Sequence, residues 1–252
     1  MDSTRARTTT CHLMGDVEML TFPDGRALAQ AAAKQWLQQV QARAPQPSPY
    51  CLALSGGRIA GRFFEAVVEL AREQHSAFMA AEFFWGDERC VPPSDPESNF
   101  GLARDLLLVP LGIPEKQVHR IVGEAPPAEA AARAEADLRR IAPANAAADP
   151  VLDMIFLGMG EDGHVASLFP GEAEEVMNLK AVFRPVIASK PPPQRITIGY
   201  PTIAAARQSW VLVSGPDKAK ALRESLRPEG QTPLARVLRL RPSTKIFSDI
   251  QK

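Results

Sequence analysis

The sequence predicts an α/β protein built on a mostly parallel sheet with helices on both faces. Short apolar runs of strand length alternate with longer stretches of helical periodicity along the whole chain. Several of those runs end directly in loops rich in glycine or charge, as strands of an open α/β sheet do where they present a ligand. The 252 residues suffice for one large α/β domain with a sizeable core. Residues 1–15 are expected as a flexible tail and 16–252 as a single domain, with no internal repeat.

Val17–Phe22 is a candidate strand closed by Pro23-Asp24-Gly25. Arg26–Arg43 places Leu28, Ala31, Ala32, Leu37 and Val40 at helical spacing, and Pro45, Pro47 and Pro49 stop that helix. Tyr50–Leu54 is the next strand and Gly61–Arg72 the next helix, with Phe64, Val67, Val68 and Ala71 inward. Ala80–Trp85 reads as a strand entering the charged loop Gly86-Asp87-Glu88-Arg89, then Phe100–Leu108 as a helix and Val118–Ile121 as a short strand. An exposed Ala-rich helix over about 128–141 precedes the apolar run Val151–Leu157. Beyond it come a short helix in Glu172–Asn178, a strand Val182–Ile187 placed at an edge by Pro185, and the alternating segment Ile196–Tyr200. A helical turn over Pro201–Arg207, a buried strand Trp210–Val213, helices from Pro216 to Leu226 and Pro233 to Leu240, and a strand Lys245–Phe247 complete the reading.

Lysine plus arginine equals aspartate plus glutamate, 29 each, which removes any global electrostatic case for nucleic acid or an anionic membrane. Three cysteines, Cys11, Cys51 and Cys90, with no CxxC spacing, indicate neither a disulfide framework nor a thiolate metal site and point to a reducing, cytoplasmic compartment. The first ten residues are polar and lack the apolar core of a secretory signal. No apolar run approaches the ~20 residues that span a bilayer.

The chemistry gathers at strand ends. After Val151–Leu157, Gly158, Gly160 and Gly163 interleave with Glu161, Asp162 and His164. Glycines let backbone approach a ligand, and histidine exchanges protons near neutral pH. A lone histidine in a turn is more often structural; here the convergence of two acids, three glycines and a strand end favours catalysis by His164. After Tyr50–Leu54, Ser55-Gly56-Gly57-Arg58 opens a helix, an arrangement whose free N–H groups and macrodipole suit phosphate, with Arg58 as an added cation. It is neither a Walker A loop nor a GxGxxG fingerprint. Asp87 and Arg89 follow a third strand, where a loop-fixing salt bridge is an even alternative. Lys190 and Arg195 flank three prolines, which hold the two cations rather than leave them mobile; solubility charge at a sheet edge is the competing reading.

Four blocks, LALSGGRIAGRFF, FFWGDERCVPPSDPESNF, LDMIFLGMGEDGHVASLFPG and KPPPQRITIGYPTIAAARQSWVLVSGPDKAKAL, resemble the 6-phosphogluconolactonase family in that order, over roughly Val17 to the C-terminus. The resemblance implies the three-layer sandwich shared with glucosamine-6-phosphate deaminases. It also implies hydrolysis of 6-phosphoglucono-δ-lactone to 6-phosphogluconate in the oxidative pentose phosphate pathway, without metal or organic cofactor. The partner implied is the small sugar-phosphate lactone alone, the chain acting as a monomer or weak homo-oligomer. In that scheme His164 is the general base that activates water, Asp162 orients the imidazole or binds a sugar hydroxyl, and Asp87 makes a second polar contact. Arg89, Lys190, Arg195 and Arg58 clamp the phosphate beside the Ser55, Gly56 and Gly57 amides. One departure is that the family's glycine loop continues with Ser or Thr and then Pro, where this chain has Arg58-Ile59-Ala60.

Two other readings compete. A glucosamine-6-phosphate deaminase would carry DGHIAFNEP, whose glutamate assists ring opening; Phe169 stands there in this chain, and Arg89 stands where those enzymes have tyrosine. A non-catalytic sugar-phosphate-binding regulator would carry an N-terminal DNA-binding module, for which too little chain precedes the first glycine loop. A serine hydrolase would need a GxSxG elbow, which this sequence does not contain.

Overall fold

In the computed structural model, residues 7–11, 15–43, 48–71, 78 and 80–251 are described. Six parallel strands form the central sheet: β2 (Asp16–Thr21), β3 (Tyr50–Leu54), β4 (Ala81–Trp85), β6 (Met154–Gly158), β9 (Gln208–Val213) and β10 (Ser243–Ser248). β1 (Arg7–Cys11) pairs antiparallel with β2 from Arg7 opposite Thr21, so part of the segment expected as a tail is an edge strand. The order is β1-β2-β10-β9-β6-β3-β4. From β3 the chain steps outward to β4, then returns to the other side of β3 with β6 and continues to β9 and β10. The crevice beyond the ends of β3 and β6 is therefore a topological switch point, where such sheets bind ligands.

A second, antiparallel sheet holds β5 (Asp87–Arg89), β8 (Gln194–Ile198) and β7 (Phe183–Ile187) in the order β5-β8-β7. Here the structure corrects two expectations. Residues 86–89 are not a loop after β4: the chain turns at Gly86 and enters a new sheet. Val118–Ile121 is not a strand either, and only one bridge, Val118 to Phe83, touches β4.

Helices α1 (Gly25–Ala42) and α2 (Arg58–Ala71) pack on each other, and α1 is capped by Asp24, whose carboxylate accepts from the Arg26 and Ala27 N–H groups. Pro45, Pro47 and Arg72, which the sequence reading used, lie outside the described residues. α3 (Asn99–Ala103) runs into a single π-helical turn, Arg104–Leu108, while α4 (Pro127–Ile141) lies against β7 and β8. α5 (Glu174–Met177), α6 (Tyr200–Ala205), α7 (Ala219–Ser225) and α8 (Pro233–Leu240) follow, the last two packed together.

The centre of the core is aromatic. Phe156 of β6 meets Trp36 of α1 edge-on at 5.2 Å between ring centroids, Phe63 of α2 at 4.9 Å and Trp210 of β9 at 5.8 Å, and Trp210 meets Phe247 of β10 at 4.9 Å. Residues 154–157 of β6 are buried on both faces, which is why this strand reads as an unbroken apolar run. Removing the Phe156 ring would cost about 3–5 kcal/mol. The strand carrying the histidine loop is thus seated in the core.

Candidate active site

Beyond the carboxyl ends of β3 and β6 lies a cleft of about 260 Å³. Ser55, Gly56, Gly57 and Arg58 line one wall and Gly158, Gly160 and His164 the floor, with Asp87, Arg89, Asn99, Arg195 and Lys218 among the other lining residues. Segments distant in sequence thus converge on one space.

The floor is built by local geometry. β6 ends at Gly158, whose N–H donates to Ser55 Oγ at 3.2 Å and ties the two strand ends together. A side chain at Gly160 would displace the imidazole: a Cβ there would lie 2.1 Å from both Cε1 and Nδ1 of His164. The glycine is the slot into which the imidazole folds. Asp162 Oδ1 then accepts from the His164 backbone N–H at 3.1 Å and lies 2.6 Å from Nδ1. An Nδ1–H directed at that carboxylate leaves the Nε2 lone pair free to take a proton. Burial pushes the Asp162 carboxyl up, but hydrogen bonds from the His164 backbone and ring, with the charge of the ring, outweigh it and hold the group below the ordinary carboxylate range. The Phe169 ring lies 5.0 Å from the imidazole, and the Arg195 guanidinium sits over the same Phe169 ring, 5.7 Å from its centroid.

The cationic wall is built by pairing at a distance. Arg89 and Arg195 are direct partners across β5 and β8. Arg195 Nε donates to the Pro192 carbonyl at 3.1 Å and Nη2 to that of Lys190 at 3.4 Å; Arg89 pairs with Glu97 at 3.1 Å while its Nε is buried without a partner among the described residues. Burial, then the neighbouring Arg89, lowers the pKa of Arg195. Two guanidiniums held side by side, one with an unused buried donor, are arranged for an anion. Lys218 completes the set, its pKa also lowered chiefly by burial.

Asp87 is held rather than free: its carboxylate accepts from Ser167 Oγ at 2.7 Å and from Asn99 Nδ2 at 3.3 Å. Beside it, buried Glu88 turns the other way, accepting from the Asn99 and Phe100 N–H groups at the start of α3, at 2.8 and 2.7 Å, and from Ser98 Oγ. Burial raises its pKa despite these donors.

Residues 23–246 match the family model described as glucosamine-6-phosphate isomerases/6-phosphogluconolactonase. The chain belongs to this family. Among its relatives in the family, the 6-phosphogluconolactonase of Streptomyces coelicolor is 33% identical over 224 residues, 85% of this chain and 84% of that one. The 6-phosphogluconolactonase of Haemophilus influenzae is 37% identical over 178 residues, 70% of this chain and 73% of that one. The solved 6-phosphogluconolactonase of Trypanosoma brucei superposes with a TM-score of 0.78 at 28% identity, covering 91% of this chain and 95% of the other.

Of the residues singled out from sequence, the fold brings Ser55, Gly56, Gly57, Arg58, Asp87, Arg89, His164 and Arg195 to the cleft, while Asp162 stands behind His164. Arg58 is at the rim, its side chain 88% exposed and 3.9 Å from Asp217. Lys190 does not join them. Its side chain is exposed and does not line the cleft, and its carbonyl receives Arg195. Lys218 and Asn99 also line the cleft without having been expected there. Lys218 follows β9 through Ser214-Gly215-Pro216, the same strand-then-glycine pattern that marked the other loops. Among the described residues no group of three His, Cys, Asp or Glu side chains is placed to hold a metal, and no helix is long and apolar enough to cross a membrane.

Proposed function

We propose that this protein hydrolyses 6-phosphoglucono-δ-lactone to 6-phosphogluconate. The observation that carries the reading is the cleft: an imidazole bonded through Nδ1 to a carboxylate shares about 260 Å³ with Arg89, Arg195 and Lys218. A lactone is an activated ester, so its opening requires a deprotonated water and a held substrate more than a covalent nucleophile. His164 Nε2 takes the proton of the water whose oxygen bonds C1 and returns it to the ring oxygen as the bond from C1 to that oxygen breaks, a role that contributes typically about 10²–10⁴-fold. Asp162 keeps the proton on Nδ1 and stabilises the imidazolium that forms. The two strand-paired arginines, Lys218 and the free amides at the start of α2 bind the phosphate, fixing the ring so that C1 faces the water.

Phe169, against the imidazole, supplies no proton-handling group, which disfavours a ring-opening deaminase. The test is lactonase turnover with freshly generated phosphorylated lactone, corrected for spontaneous hydrolysis, beside glucosamine 6-phosphate. Turnover of the lactone alone is expected; ammonia release, or no turnover of either, rejects the proposal.

A further inference from the structure

The loop bearing His164 rests on a hydroxyl relay supplied by the α7–α8 connection. Gly163, between the acid and the imidazole, has φ +82°, and a Cβ there would lie 2.6 Å from Thr232 Cβ, so Thr232 abuts the loop directly. The Leu234 N–H donates to the Gly163 carbonyl at 3.1 Å. Thr232 is buried, and its Oγ1 accepts from the Ala235 N–H at 3.1 Å and lies 2.6 Å from Ser225 Oγ, while Ser225 donates to the Ala221 carbonyl at 2.7 Å. One proton assignment satisfies every partner: Thr232 donates to Ser225, and Ser225 to Ala221. In that assignment the hydroxyls run in a single direction and tie Thr232 to both Ser225 and the start of α8.

Behind the same loop is a second hollow of about 450 Å³, bordered by Glu161, Asp162 and Thr232. A loop that loses its support has room there to relax into, carrying Asp162 out of reach of Nδ1. We infer that Thr232, locked by Ser225, is a positioning residue that holds Asp162 and His164 in register from outside the cleft. The inference rests on the lactonase reading for its kinetic consequence only.

The test compares Thr232→Val, which keeps the shape and removes the hydroxyl, with Thr232→Ser and Ser225→Ala, each assayed as folded protein well below its melting temperature. A displacement approaching 1 Å at a catalytic group costs up to about 10²-fold. Thr232→Val and Ser225→Ala are expected to lower kcat roughly tenfold, with KM within twofold, and Thr232→Ser to retain most of the rate. A second readout needs no turnover: the downfield Nδ1–H proton resonance of His164 should persist in the parent protein and in Thr232→Ser and disappear in Thr232→Val. If that resonance and kcat survive Thr232→Val, or if Thr232→Ser fails as badly as Thr232→Val, the inference is overturned. Loss of the resonance in Thr232→Val, with no lactone turnover by the parent protein, would instead reject the lactonase reading.

Discussion

The two halves of the cleft are made by opposite means. The base side is local: Gly160, Asp162 and His164 lie within five residues at the end of one central strand and satisfy each other. The cationic side is assembled from residues more than a hundred positions apart, Arg89 and Arg195, made neighbours by the register of the antiparallel sheet. The first depends on a turn, the second on a sheet. Chemistry that needs ångström placement sits on the short-range half, while electrostatic holding tolerates the longer assembly.

That contrast can be broken at either half. The largest effect is expected from His164→Gln, with lactone turnover down at least about a hundredfold and the melting temperature unchanged. Gly160→Ala should follow, lowering kcat roughly 10–100-fold because its Cβ takes the space of the imidazole while Arg89 and Arg195 are left intact. A rise in KM with unchanged kcat would contradict it. Arg195→Ala should do the reverse, raising KM for the phosphorylated lactone about 10–100-fold, as expected for lost charged hydrogen bonds of about 1.5–3 kcal/mol, and leaving glucono-δ-lactone nearly unaffected.

A smaller effect concerns pH. Asp162 titrates below the ordinary range when folded. Its stabilising contribution is fully present above the unfolded carboxyl pKa of about 3.9 and lost as pH falls through the lower folded value. The stability gap between the parent and Asp162→Asn, measured by denaturant titration, should therefore narrow below about pH 4. The smallest effect belongs to Lys190→Ala, which retains the carbonyl used by Arg195 and should leave KM within about twofold, since an exposed charge outside the cleft contributes little.

How much was legible follows the same division. The Tyr50–Leu54 strand, a short apolar run, and the Pro233–Leu240 helix stand where the sequence places them, and the glycine loops after β3 and β6 were recognisable because strand-end chemistry is written in consecutive residues. The Asp87–Arg89 segment misled because a three-residue strand carries no periodicity, and its polar residues are buried by partners far along the chain. Lys190 and Lys218 could not be ranked from sequence. Both are lysines near prolines, and only the path of the chain puts one in the cleft and the other in solvent.

By itself, the sequence determined the α/β alternation, the buried central strand and the Asp162–His164 loop, since each depends on contacts within a few residues or on burial of a continuous apolar run. The tertiary structure decided which cations share the cleft, the second sheet, and the support of Gly163 by Thr232. Those depend on register and packing between distant segments, which local residue order does not encode.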